Sequence, residues 1–447
     1  MMRHAVFTGA AAILFSVAGP AAAQEAKLVA IKTGRLVDTA RGVVLTDQVI
    51  LVSGGKVMAV GPAASTAIPA GAAMIDLSGK TVYPGLIDTH THVTGDPTTS
   101  PYESYHLSVP RQAVTGAANA RKTLLAGFTT IRDVGSSGYS DIALRDGIDA
   151  GEIPGPHIFA SGPALGITGG HCDDNHLAPE YKYEGEGVAN GADAVRAAVR
   201  RNIKYGADHI KYCGTGGVFS RGDKPGAQQY TQEEANALIA EAHLHDRPVA
   251  VHAHGADGIK VAIRAGADSI EHASLIDDEG LKMAKAAGTV LSMDIYNTEY
   301  TQSEGRKNGV PEESLQKDRD IGDIQRENFR KAVKMGIKLS YGTDAGVYPN
   351  GDNARQAAIM ARYGMTPMQV LQAATVVGAA LVRKPTTLGQ IAPGFSADIV
   401  AVDADPLADI RAIEKPSFVM KQGDVYLGDP SVCAAAPSRW GCATPAR

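Results

Sequence analysis

No run of lysines or arginines interrupts these 447 residues, and the net charge is −5. Nucleic acid is therefore not an expected partner, because a phosphate backbone is met by clustered basic side chains. Past the first twenty or so residues, no apolar stretch is long enough to cross a bilayer. Cys-x-x-Cys is absent and the chain has only four cysteines, so a thiolate zinc site finds no support. No Gly-x-Gly-x-x-Gly follows the first predicted strand, which argues against a doubly wound dinucleotide-binding sheet. What is present is ordinary for a globular protein: 44% hydrophobic and 20% charged residues, on a chain long enough to bury a large core.

The first 23 residues read as a targeting segment. Arg3 and His4 precede an apolar stretch, Gly19-Pro20 breaks it, and Ala21-Ala22-Ala23 supplies the small residues a signal peptidase needs. Cleavage is expected after Ala23, giving a periplasmic or secreted protein; an uncleaved anchor is the alternative. Export makes the cysteines worth sorting. Cys433 and Cys442 lie close together in a Pro/Ala-rich tail (431–447), have no ligand role, and are expected to form a disulfide. Cys172 and Cys213 lie beside the chemistry described next, with no role assigned.

Short apolar runs separated by Gly-Gly and Gly-Pro turns fill residues 24–80, and the same texture returns over 385–430. Such runs suit antiparallel hairpins, and their placement predicts one small β-sandwich domain built from both chain ends. Between them, residues 81–384 alternate strand-like runs (82–87, 129–134, 157–161, 209–212, 249–252, 269–272, 290–295 and 338–342) with helical patterns such as 112–126, 192–205, 232–245 and 258–265. Eight strands alternating with helices is the count of a (β/α)8 barrel, an α/β fold whose active sites form at the C-terminal strand ends.

Those strand ends carry the chemistry. His90 and His92 close the run from Val82, and residues at i and i+2 point to one side of a strand. Lys211, His252, His272 and Asp344 each end a later run. Imidazole and carboxylate suit two divalent ions, most simply Zn²⁺. His90, His92 and Asp344 would hold one ion; His252 and His272 would hold the other. Two dications need anionic bridges, and this set offers a single carboxylate. Lys211 is expected to supply the second anion as a carbamate (N6-carboxylysine), since a desolvated lysine has a lowered pKa and a nucleophilic amine.

These residues resemble the amidohydrolase superfamily over nearly the whole mature sequence. Pro-Gly-Leu-Ile-Asp-x-His90-x-His92, the fourth-strand Lys211, His252, His272 and Gly-Thr-Asp344-Ala-Gly match its binuclear pattern. The segment from Gly394 to Val400 is similar to the one that returns the chain to that family's β-sandwich. The nearest branch looks like prolidase-like metallodipeptidases and carboxypeptidases acting on Xaa-Pro, Xaa-Arg/Lys or N-acyl amino-acid bonds, with ochratoxin-type amidases among them. The resemblance implies a metal-bridging hydroxide as nucleophile, with Asp344 as base and then acid. His171, in Thr168-Gly169-Gly170-His171, resembles the branch's substrate-polarising histidine. His254 is read as a substrate or neighbouring contact, Tyr230 as a contact to the substrate carboxylate or carbonyl, and Arg221 as a partner of that carboxylate. Asp173 and Asp174 either receive a cationic side chain or cap a loop. A small peptide or N-acyl amino acid is the expected substrate and a homo-oligomer the expected assembly. A one-metal cyclic amidase or deaminase and a catalytically inactive ligand-binding protein are the rival readings.

Overall fold

The computed structural model describes residues 28–445; the targeting segment expected over 1–23 lies outside them. Strands from both chain ends share one seven-stranded sheet, in the order Asp424–Leu427, Phe418–Lys421, Ile399–Val402, Ala73–Pro84, Val29–Asp38, Val43–Ser53 and Lys56–Pro62. Its N-terminal members are β1 (Val29–Asp38), β2 (Val43–Ser53), β3 (Lys56–Pro62) and β4 (Ala73–Pro84). Its C-terminal members are β13 (Ile399–Val402), β14 (Phe418–Lys421) and β15 (Asp424–Leu427). β4 is the hinge of the arrangement, running parallel to β1 and antiparallel to β13. Ile31, Ile50, Ile75, Ile399, Phe418 and Met420 pack one core beneath it, each fully buried. Removing such side chains from water at about 25 cal/mol per Å² is what holds the two chain ends together.

The middle of the chain forms eight parallel strands. These are β5 (Leu86–Thr91), β6 (Phe128–Asp133) and β7 (His157–Ala160) in one sheet, and β8 (Ile210–Cys213), β9 (Val249–Gly255), β10 (Ser269–Leu275), β11 (Val290–Ser292) and β12 (Leu339–Ser340) in another. Single parallel bridges link the sheets at both margins. Leu165, just past β7, pairs with Tyr212 of β8, and Thr91 of β5 pairs with Ala345 beyond β12. The fold is thus α/β with parallel sheets, and the strand ends that bear the expected ligands face one side.

The run 82–87 is not one strand. It divides at Gly85: Val82, Tyr83 and Pro84 belong to β4 and the seven-stranded sheet, while Leu86 opens β5. A side chain at residue 85 would collide with Thr129, so only glycine lets the chain pass from one sheet to the other here. The expected strand 290–295 shortens to β11 and the expected 338–342 to β12, and Asp294 and Asp344 beyond their ends line a cavity. The expected helices appear as Val109–Leu125, Ala192–Lys204, Gln232–Leu244 and Ala256–Ala265. Thr231 and Glu234 form a capping box at the start of the third, satisfying each other's end of the helix. Between β11 and β12 the chain inserts helices Asn297–Glu304 and Glu312–Met335, which periodicity alone did not mark. The tail docks on β15 through bridges at Pro437 and Ala443, and Cys433 and Cys442 are joined as expected.

Candidate active site

The strand ends open into a cavity of about 880 Å³. His92, Lys211, His252, His272 and Asp344 line it, with His90 fully buried behind them. His90 Nε2 and His92 Nε2 lie 3.3 and 3.4 Å from the same Asp344 Oδ1. Nitrogen or oxygen atoms of His90, His272 and Asp344 fall within 4.8 Å of one another, as do those of His252, His254 and His272. The six expected ligands are therefore brought to one place, with His254 beside them.

Three of the four imidazoles expected as ligands have a polar partner at Nδ1. His92 Nδ1 is 3.0 Å from the Gly135 carbonyl, His272 Nδ1 is 2.9 Å from Asp294 Oδ1, and His90 Nδ1 is 3.0 Å from Glu271 Oε2. A proton on Nδ1 leaves Nε2 with its lone pair toward the cavity, the state a metal ion requires. His252 Nε2 is buried with no protein partner, which in a native core calls for a ligand. Donor set, tautomers and this orphaned nitrogen together fit divalent metal. The backbone is strained at the same place: His272, Ala273 and Asp344 have φ of +70°, +49° and +59°. Left-handed conformations of non-glycine residues cost of order 1–3 kcal/mol each and cluster at functional sites.

Two acids beside the cage do not alter its shortage of anions. Glu271 Oε1 accepts from Arg132 Nη2 at 2.7 Å and from Ser269 Oγ at 2.5 Å. Arg132 also donates to Ser269 Oγ and to the Thr89 carbonyl, so it is fully engaged under the ligand layer. Burial alone would raise the Glu271 carboxyl, but Arg132 and His90 hold it well below the usual range. Asp294 is occupied by His272, Gln325 and Asn297. Lys211 is buried, its Nζ 3.5 Å from the Val134 carbonyl, and desolvation lowers its pKa despite Glu271 and Asp344 nearby.

His171 reaches the cavity from the loop after β7. Its ring stacks on His252 with centroids 4.0 Å apart, and Nδ1 is 2.8 Å from Ser220 Oγ. Ser220 donates to Asp223 Oδ1 at 2.6 Å, and Lys317 of the inserted helix donates to the Ser220 carbonyl at 2.7 Å. Any side chain at Gly217 would strike the His171 ring. Burial pushes the His171 pKa down to about 4, against the pull of Asp223. His254 Nδ1 is 2.8 Å from Ser274 Oγ and its ring lies against His272.

Tyr230 and Arg221 are not brought into the site. Tyr230 is buried away from the cavity and its hydroxyl donates to the Ala189 carbonyl at 2.9 Å, a loop-to-loop tie rather than a substrate contact. Arg221 is exposed, and only its backbone carbonyl is engaged, by Asn175. Among the described residues, no arginine lines the cavity and Lys211 is its one lysine. Asp173 caps its own loop through Gly169, Asp174 and Gly185 amides. Asp174 accepts from the Tyr105 hydroxyl and the His176 amide.

Sequence reasoning missed Glu271, Asp294 and Arg132, which orient the histidines expected as ligands, and Ser220, Asp223 and Lys317, which orient His171. Glu271 precedes His272 and Asp294 lies inside an expected strand, so both had a positional signal. Lys317 had none, being 94 residues from the Asp223 it meets. Cys172 and Cys213, left without a role, are joined in a disulfide.

Comparison with known proteins places this geometry. The amidohydrolase family model matches residues 81–426. Ochratoxinase of Aspergillus niger is 33% identical over 371 residues, spanning 77% of this chain and 75% of that protein. A solved Xaa-Pro dipeptidase with methionine bound in its active site superposes with TM-score 0.85 at 36% identity, over 90% of this chain and all of that one. A prolidase complexed with N-methylphosphonate-L-proline gives TM-score 0.82 at 29% identity, over 89% of this chain and 99% of its own.

Proposed function

The chain belongs to the amidohydrolase family and is a hydrolase of C–N amide bonds, and from this premise we propose an exported binuclear zinc enzyme that cleaves dipeptides or N-acyl amino acids. The observation that carries the reading is the meeting of His90, His92 and Asp344 on one oxygen, beside His252, His272 and a buried lysine. His90, His92 and Asp344 would hold one ion, and His252 and His272 the other. Such ions supply Lewis-acid polarisation and a nucleophile from water at neutral pH.

Lys211 completes the cage as a carbamate. Its neutral amine attacks CO₂, a C–N bond forms as one C–O π bond breaks, and the amine's proton leaves to solvent. The product is anionic and carries two oxygens that could serve as metal ligands. Support comes from the engagement of Glu271 and Asp294 elsewhere, which leaves Asp344 as the sole unmodified anion in the ligand layer.

The remaining steps fall to named atoms. Asp344 Oδ1 faces the two histidines, so Oδ2, held by Asn297 at 2.9 Å, is the oxygen that takes up the water proton and delivers it to the leaving amine. His171, fixed by Ser220, stands over His252 and faces the cavity in which the oxyanion would develop. With no arginine in the cavity, His254 Nε2 is the side chain best placed to meet the substrate carboxylate. A closed (β/α)8 barrel is supported by the two margin bridges, and export by the two disulfides, which persist in oxidising compartments.

Zinc analysis with a dipeptide and N-acyl amino-acid panel tests the reading. Two ions per chain with release of a free amino acid are expected. One ion per chain, or turnover of cyclic imides or purines with none on the panel, would overturn it.

A further inference from the structure

Cys172 follows His171 directly, and Cys213 lies two residues beyond Lys211 on β8. Residues at i and i+2 share a strand face, so Cys213 leaves β8 on the side from which Lys211 enters the cage. The disulfide between them spans 41 residues of chain and itself lines the cavity. We propose that this bond is a positioning device: it clamps the His171 loop to the lysine-bearing strand, and turnover depends on its oxidation state.

The surroundings of His171 explain why a covalent clamp is needed. From Gly162 to Ala178 the chain forms no helix or strand beyond bridges at Leu165 and Gly166. Past those bridges, residues 167–176 make no ladder: their own turns, as in Gly170 N to the Ile167 carbonyl and Asp173 N to the Gly170 carbonyl, are supplemented by ties to Asn190, Gly185, Tyr105 and the Arg221 carbonyl, none of them on a strand of the parallel sheet. Gly169 sits at φ +72°, beside Gly170, so the loop has a pliant point just before His171. Besides the ring stack on His252, the hydrogen-bonding partners of His171 from outside the loop are two side chains, Gln229 at its amide and Ser220 at its ring. Both partners belong to another long loop, after β8. The disulfide alone fastens this segment to a strand of the parallel sheet by a covalent bond. Loop-borne groups displaced by about 1 Å lose of order a hundredfold in rate, which makes such a tie consequential.

Reduction opens the clamp by known chemistry. A phosphine attacks one sulfur, the S–S bond breaks, two thiols form, and the phosphine takes oxygen from water to become its oxide. The function of the clamp rests on the hydrolase reading above, whereas its mechanical effect does not, so the test has two arms. Both use the zinc-loaded Cys433→Ser/Cys442→Ser enzyme, in which Cys172–Cys213 is the remaining bond, with tris(2-carboxyethyl)phosphine as reductant and mass spectrometry to show free thiols.

In the first arm, hydrogen exchange over residues 166–176 should rise on reduction and fall again on reoxidation; unchanged exchange would overturn the clamp. In the second, kcat should drop about tenfold or more, with KM changed less than about twofold and both ions retained. The same reduction of a His171→Ala enzyme should cost nothing further, because the two changes act on one element. Full kcat with both thiols free, loss of zinc in step with loss of rate, or an undiminished effect in His171→Ala would overturn the proposal. An oxidised enzyme that cleaves no amide on the panel would sink the hydrolase reading instead, leaving the exchange arm to decide the clamp.

Discussion

The two walls of the cavity are built differently. On one, His90, His92, His272 and Asp344 project from strand ends and are steadied by buried groups of neighbouring strands: Glu271 over Arg132, the Gly135 carbonyl, and Asp294. On the other, His171 rides a loop and is steadied by Ser220 and Asp223 of a second loop, a lysine of an inserted helix, and a disulfide. The first wall is cooperative with the core, because moving any ligand also unpairs a buried polar group. The second can shift without disturbing a strand. On the proposed assignment the two walls divide metal holding from substrate handling, and substitutions should sort accordingly.

The largest expected effect lies on the strand wall. Lys211→Ala should lose metal and reduce kcat/KM by roughly a thousandfold or more, since several kcal/mol of charge stabilisation go with the second ion. Acetate or propionate should restore part of both, whereas Lys211→Arg should not be rescued, its guanidinium being permanently charged. Plasma emission metal analysis with activity checks this; two bound ions and normal turnover in Lys211→Ala would dissolve the distinction between the walls.

Next comes the support beneath that wall. Arg132→Leu leaves Glu271 buried without its partner and should destabilise the fold by about 3–5 kcal/mol. Urea unfolding of metal-free protein measures it. Glu271→Gln keeps the shape but weakens the hold on His90, and zinc affinity should fall about 10- to 100-fold by competition with a chromophoric chelator.

On the loop wall, Ser220→Ala should lower kcat about tenfold while both ions stay bound, because it frees the His171 ring without touching a ligand. A matching loss of zinc would show that the walls are coupled. The smallest effect is expected of Tyr230→Phe, with kcat near that of the parent and stability lower by about 1 kcal/mol for the lost bond to the Ala189 carbonyl. A large fall in kcat there would return Tyr230 to the substrate site.

The amino-acid sequence by itself determined the alternation of strands and helices and singled out the residues proposed as metal ligands, because both are written in local periodicity. A histidine at i and i+2 faces one way whatever surrounds it, and an apolar run ending in a lone Lys, His or Asp is visible without a neighbour. The same local reading assigned 82–87 to a single strand, since the collision that reserves position 85 for glycine involves Thr129, 44 positions away. It also placed Tyr230 and Arg221 at the substrate, because a Gly-rich loop carries no period from which to infer where its side chains turn. Only the tertiary structure decided that Glu271 is spent on Arg132, that Ser220 and Lys317 meet over His171, and that Cys172 pairs with Cys213. Those contacts join residues far apart in the chain, and their free energy comes from shared burial, which local sequence does not record.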